Sequence, residues 1–435
     1  MTIPTFTLRL GLFWLLLCSS VLTGCQVPTV TVQAEADFET ALPLVILETA
    51  EPIPDEPKIT ATMRVISRSD GNRLSDSATD YDGLVGIERR GQTSQAFPKK
   101  QYGLETRDTD GENNNVSLLG LPEENDWILY APYSDKSLMR NVLAYDLARS
   151  MGHYASRAVF CEVVLNGNYE GVYVFMEKIK RDKNRVDIAK QEGGSDGGFL
   201  LELTRANKIA PDDTSFATPR GRRVVYEYPD GDELTAEAAS YISNYVSEFE
   251  TALYSDAFTD PETGYRAYLD VDAAVDYLLI QELFKNTDAF NASTFFYKDE
   301  DEKLTFGPVW DFNFSSGNDN VQSQRSPQGW LLKKRPWSER LYEDPYFIER
   351  YQARWQELKD EGILDELVAS VTGYAVQLEG AQQRNFEKWP VLGVQLPRNS
   401  PEHLFATYQE EVAYLEGWLK ARIAWIDGNI GGLEP

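Results

Sequence analysis

Histidine and cysteine are nearly missing from this chain. Its 435 residues include two histidines, His153 and His403, and three cysteines, Cys18, Cys25 and Cys161. Neither histidine sits in an HExxH pattern or beside a cysteine cluster, so zinc hydrolysis and Ser-His-Asp acyl transfer lack their residues. One thiol in the body of the chain excludes a disulfide framework, and Cys161, inside "AVFCEVVL", reads as a small buried hydrophobe. No GxxxxGK[ST] and no strand-borne GxGxxG occurs, which removes Walker-type NTPases and dinucleotide enzymes. "DTDGENNN" lacks the ligand spacing and the closing glutamate of a calcium loop and reads as a turn. Positive charge is scarce, 42 Lys and Arg against 69 Asp and Glu, and the formal charge of −27 excludes nucleic acid and anionic headgroups as main partners. After the N-terminus no run is apolar for long enough to span a bilayer.

What is present begins at the N-terminus. "MTIPTFTLRLGLFWLLLCSSVLTGC" has one basic residue, Arg9, then a short apolar stretch ending in Leu22-Thr23-Gly24-Cys25. That ending resembles a bacterial lipobox, which implies cleavage of residues 1–24 and lipidation of Cys25. Acyl chains add about 0.8 kcal/mol per buried methylene, so a multiply acylated Cys25 would hold the protein firmly on a membrane. The expected location is extracytoplasmic, on the periplasmic face of the outer membrane or the cell surface.

Residues 25–58, with the proline-punctuated "TAEPIPDEPK", read as an extracytoplasmic linker. From 59 to 190 the pattern is strand-like: "TATMRVISR", "GLVGIERRG", "QYGLETRD", "AVFCEVVLNG" and "YEGVYVFMEKI" are short and β-branched or aromatic. The Asn-Gly within "VVLNGNYEGVYVF" predicts a hairpin. One helix interrupts, from an N-cap at Ser134 or Asp135 to Gly152. From 191 to 430 amphipathic helices dominate, one of them running through "LDELVASVTGYAVQLEGAQQRNFEKW", and a single hairpin is embedded among them. The expected fold is therefore α+β and bilobal, a β-rich N-lobe followed by a helical C-lobe carrying that hairpin.

The hairpin carries the chemistry. "STFFYK" runs out, "DEDE" turns and "KLTFGPVW" runs back, so Asp288 and Asp311 at the open end are brought together, with Asn313 two residues on. Paired aspartates of this kind serve either as turn caps or as a phosphoryl-transfer pair, one orienting a hydroxyl and one holding magnesium. A second element favours the latter. "IERRGQTSQAFPKKQYGLETRD" joins two strands through a loop with Gly91 and small hydroxyl residues, and Lys99 and Lys100 open the second strand. Small residues let backbone amides approach phosphates, and a strand-borne lysine neutralises them. Lys100 shares strand phase with Tyr102 and Leu104 and is expected to point inward.

In "RGQTSQAFPKKQYGLE", "NDWILYAPYSDKSLMRNVLAYDLA", "NGNYEGVYVFMEKIKRDKNRVDI", "GGFLLEL", "DYLLIQELFKNTDAFNASTFFYKD" and "GPVWDFNFSSGN", in that order, the chain resembles the CotH kinase family, spore coat protein H-like proteins with an atypical protein-kinase fold. The resemblance covers roughly residues 59–430. It implies a phosphotransferase using ATP and Mg²⁺ on Ser/Thr of secreted or surface proteins, acting here as a monomer. Carried onto this sequence, Asp288 would be the catalytic aspartate and Asp311 the metal ligand, with Asn313 beside it. Arg90, Gly91, Ser94 and Lys100 or Lys99 would meet the nucleotide, Ser137 to Met151 would form the helix bracing that lysine, and Glu177 would lie in the hinge. Asn313 stands where the family usually has aspartate, which removes one negative charge from the metal site. The contrasting readings are a catalytically silent scaffold and, from 12% aromatic residues and paired carboxylates, a glycan-binding envelope lipoprotein.

Overall fold

The computed structural model describes residues 31, 33, 34 and 38–434. The targeting segment with Cys25 lies outside the described residues. Among those described, no helix is long and apolar enough to cross a membrane.

Seven strands close into a barrel: β1 (Leu44–Glu48), β2 (Ile59–Ile66), β3 (Tyr81–Arg90), β4 (Gln101–Arg107), β5 (Asp126–Tyr130), β6 (Ala158–Leu165) and β7 (Asn168–Glu177). Their order around the barrel is β6-β7-β5-β4-β3-β2-β1, with β1 closing on β6 in parallel from Leu44↔Glu162 to Leu47↔Leu165. The strand period of two sorts side chains by face. Met63, Val65, Val85, Ile87, Trp127, Cys161, Tyr173 and Phe175 fill the interior, while Val172, Val174 and Met176 of β7 pack outward against the helical half. Cys161 is a buried free thiol, in the role its sequence context indicates.

Helix α1 (Arg140–Ser150) lies between β5 and β6. Beyond the barrel, β8 (Phe199–Thr204), β9 (Ser215–Ala217), β10 (Arg223–Tyr228), β11 (Thr294–Lys298) and β12 (Leu304–Phe306) form a second sheet in the order β9-β10-β8-β11-β12. Phe199, Leu201 and Leu203 join Ile242, Val246 and Phe249 of α2 (Ala236–Leu253) in the helical core. The alternate residues, Glu202 and Thr204, line a cleft on the opposite face. The helices α3 (Val271–Phe284), α4 (Pro345–Asp360), α5 (Ile363–Gln377), α6 (Glu379–Lys388) and α7 (Tyr408–Ile430) complete the C-terminal half. Several begin at well-formed caps. Asp270 accepts from Asp272 N and Ala273 N at α3, and Thr407 and Glu410 form a capping box at α7. The architecture is mixed α+β, β-rich toward the N-terminus and helical toward the C-terminus.

Four expectations change. The expected linker contributes β1, because "LVIL" buries four consecutive apolar side chains that close the barrel. Helix α1 begins at Arg140: Asp135 organises the preceding turn instead, accepting from Ser137 N at 3.1 Å and Arg140 N at 2.9 Å. The long helix over "LDELVASVTGYAVQLEGAQQRNFEKW" breaks at Leu378 into α5 and α6. The embedded hairpin is not alone, since β11 pairs with β8 along its whole length and becomes part of a five-stranded sheet.

Candidate active site

Asp288 and Asp311 face one cleft of about 280 Å³ between the barrel and the second sheet. Asp288 follows α3, whose C-cap Lys285 takes a left-handed turn at φ +48°. The aspartate is buried, 3.0 Å from Arg205 Nη2 and 3.7 Å from Arg398 Nη1. Asp311 sits past β12 at φ +61°, a conformation that a non-glycine residue keeps only when its surroundings enforce it. Those surroundings come largely from α1. Asn141 Oδ1 accepts from Phe312 N at 2.7 Å, Arg140 Nε donates to Ser315 O at 3.2 Å, and Tyr145 stacks on Trp310 at 5.8 Å. Burial, with the Asp288 charge next to it, raises the Asp311 carboxyl to about 6; Lys208, Arg398 and Arg90 oppose the rise. Asn313 also lines the cleft, and its Nδ2 donates to Ser134 Oγ at 3.4 Å.

The loop after β3 forms one wall. Gly91 has φ +89°, and a Cβ there would fall 2.1 Å from Ser94 Oγ, so this position requires glycine. Arg90, Gly91 and Ser94 all line the cleft, and the Arg90 guanidinium lies 5.7 Å from the Trp310 ring centroid. Burial lowers the Arg90 pKa. Gln92 donates to Lys208 O, joining this loop to the turn after β8.

Neither lysine of the Lys99-Lys100 pair lines the cleft. Lys99 is buried, with Nζ donating to Asn385 Oδ1 at 2.8 Å and to Val172 O, above the Tyr173 ring. Burial lowers its pKa to about 7. Lys100 Nζ donates to Gln95 O at 2.6 Å, folding back on its own loop. The pair precedes the first ladder residue, Gln101, so strand alternation does not set its direction. Glu177 is likewise turned away, accepting from Arg157 N at 2.9 Å and Nε at 3.1 Å, while its neighbours Met176 and Lys178 line the cleft. Helix α1 braces the Asp311 loop rather than a lysine.

Several cleft residues escaped sequence reasoning. Lys208 acts most strongly among the cations on Asp311, ahead of Arg398 and Arg90. Glu202 and Glu227, on adjacent strands, both line the cleft, and burial followed by the Glu227 charge raises Glu202 to about 8. A bulge between Leu200 and Leu201 in the β8–β10 pairing sets Glu227 opposite no single partner. A carboxylate inside the apolar run "FLLELT" was a readable signal; Lys208, ending a single 3-10 turn, and Arg398, in an irregular segment, had none.

A family model described as CotH kinase protein matches residues 87–426, more than half of the chain. The inner spore coat protein H of Bacillus subtilis (strain 168) is 26% identical over 239 residues, covering 54% of this chain and 59% of that protein. The alignment thus spans less than two thirds of that relative.

Proposed function

The chain belongs to the CotH kinase protein family, and on that premise we propose a magnesium-dependent phosphotransferase that moves the γ-phosphate of ATP to Ser or Thr hydroxyls of extracytoplasmic proteins. On this reading the two halves correspond to the lobes of an atypical kinase and the cleft between them to the nucleotide site. One observation carries it: Asp311, in a left-handed backbone conformation, and Asp288 line one cleft together with Arg90, Lys178, Lys208 and Arg398. Two carboxylates in so confined a place repel, and a divalent cation with phosphate relieves that repulsion.

The donor set suits magnesium. Asp311 and Asn313 both line the cleft, and a bound magnesium would take these two oxygen donors and fill its remaining positions with phosphate oxygens and water. Bound there, magnesium would supply positive charge to the phosphates. The chain's own groups do the rest. Arg90 and Lys208 take the phosphate contacts that Lys99 and Lys100 do not reach, and the Gly91 loop offers backbone amides. Ile128, Met176, Phe295 and Trp310 line an apolar slot for the base. Asp288 accepts the hydroxyl proton and orients the acceptor.

Transfer of labelled phosphate from ATP to secreted proteins tests this reading, with loss in Asp288→Ala expected. Asn313, uncharged, favours a second reading in which the fold binds nucleotide without transferring phosphate; binding with no transfer, even in Asn313→Asp, would support it. We further propose anchorage through Cys25. Cys25→Ser would then release the protein from membranes, and unchanged fractionation would refute the anchor.

A further inference from the structure

The segment joining α6 to α7, residues 389–407, brings one side chain to the cleft. Arg398 has φ +67°, an unfavourable conformation for a non-glycine residue. Its neighbour Asn399 enforces it: Nδ2 is buried and donates to Ser134 O at 2.9 Å and Asn318 Oδ1 at 2.5 Å. Asn318 in turn donates to Asn313 O at 2.7 Å, so one network shapes both the Asp311 loop and the Arg398 backbone. The guanidinium lies 4.1 Å from the Phe314 ring centroid. Nη2 donates to Thr287 Oγ1 at 3.0 Å and lies 3.4 Å from Asp319 Oδ2. Nη1 is 3.7 Å from Asp288 Oδ2, beyond hydrogen-bond length, and the side chain keeps 37% exposure. One edge of the guanidinium is thus fixed by Thr287 and Asp319, and the other faces Asp288 in the cleft.

Resting on the phosphotransfer reading, we infer that Arg398 Nη1 contacts the γ-phosphoryl group as it is transferred. The acceptor oxygen bonds to the γ-phosphorus while the bond from phosphorus to the β,γ-bridging oxygen breaks. The hydroxyl proton passes to Asp288, and the electron pair leaves on the β-phosphate of ADP. Negative charge spreads over the moving phosphoryl oxygens, where a fixed guanidinium stabilises it. Before transfer the same guanidinium steadies the Asp288 carboxylate.

The test is calorimetric binding, with Mg²⁺, of ADP and of the non-transferable β,γ-imido analogue of ATP to wild type, Arg398→Gln and Arg398→Lys. Thermal unfolding verifies that each variant folds. Arg398→Gln should weaken the analogue about tenfold or more while leaving ADP within about twofold, with the lysine variant recovering part of the loss. Where transfer is measurable, Arg398→Gln should lower kcat by about a hundredfold or more. Equal losses for both ligands, or no loss, overturn the inference and leave the phosphotransfer reading standing. Should the glutamine variant not fold, the lysine variant decides on the same comparison. A wild type that binds neither ligand overturns both.

Discussion

Asn141 Oδ1 accepts the Phe312 N–H at 2.7 Å, and that bond fastens α1 to the backbone immediately after Asp311. Both residues are buried, so removing the acceptor leaves an N–H unsatisfied. Asn141→Ala should cost about 1–3 kcal/mol of stability and lower magnesium-dependent nucleotide affinity by about tenfold or more. Denaturant unfolding and calorimetry measure the two. Unchanged affinity in the folded variant would show that Asp311 is positioned by other means.

Relieving the aspartate pair should stabilise the empty protein. Because burial and Asp288 raise the Asp311 carboxyl, its folded form holds a proton that the unfolded chain releases, and its contribution to stability falls as pH rises toward 6. Asp311→Asn should therefore gain about 1–3 kcal/mol at pH 7.5, with the gain closing between pH 6 and pH 4. Unfolding midpoints of both proteins across that range decide it; a gain independent of pH would point to a cause other than the carboxylate. Magnesium binding by the wild type should weaken below pH 6, as protons compete for the same oxygen atoms.

Lys99 and Lys100 should behave as structural residues. Lys99→Ala removes a buried stem and two hydrogen bonds to Val172 O and Asn385 Oδ1, at a cost of about 2–4 kcal/mol. Lys100→Ala should cost less than about 1 kcal/mol, since its ammonium is partly exposed. Nucleotide affinity of the folded fraction should hold in both. A selective loss of affinity in either would return that lysine to the phosphates.

The two aspartates were legible in the sequence because a hairpin brings its open ends together whatever sheet it later joins. Gly91 was legible for a similar local reason, a tight turn between two strands. Lys99 was not, because its direction depends on Val172 and Asn385, the latter 286 residues away. Strand β1 was hidden among prolines that dominate the composition of the segment following it, although "LVIL" carried the signal. Arg398 reaches the cleft through an irregular segment whose path is set by Asn399 and Asn318, and no local pattern encodes such a path.

Calorimetric titration of ATP with and without Mg²⁺ decides whether Asp288 and Asp311 share one magnesium–phosphate centre. The wild type should bind ATP more tightly with magnesium. Asp311→Ala should lose most of that magnesium-dependent gain, while Asp288→Ala should retain binding and lose phosphate transfer. Magnesium-independent binding, or wild-type binding and transfer in both variants, would rule out the shared centre and return the two aspartates to capping their turns.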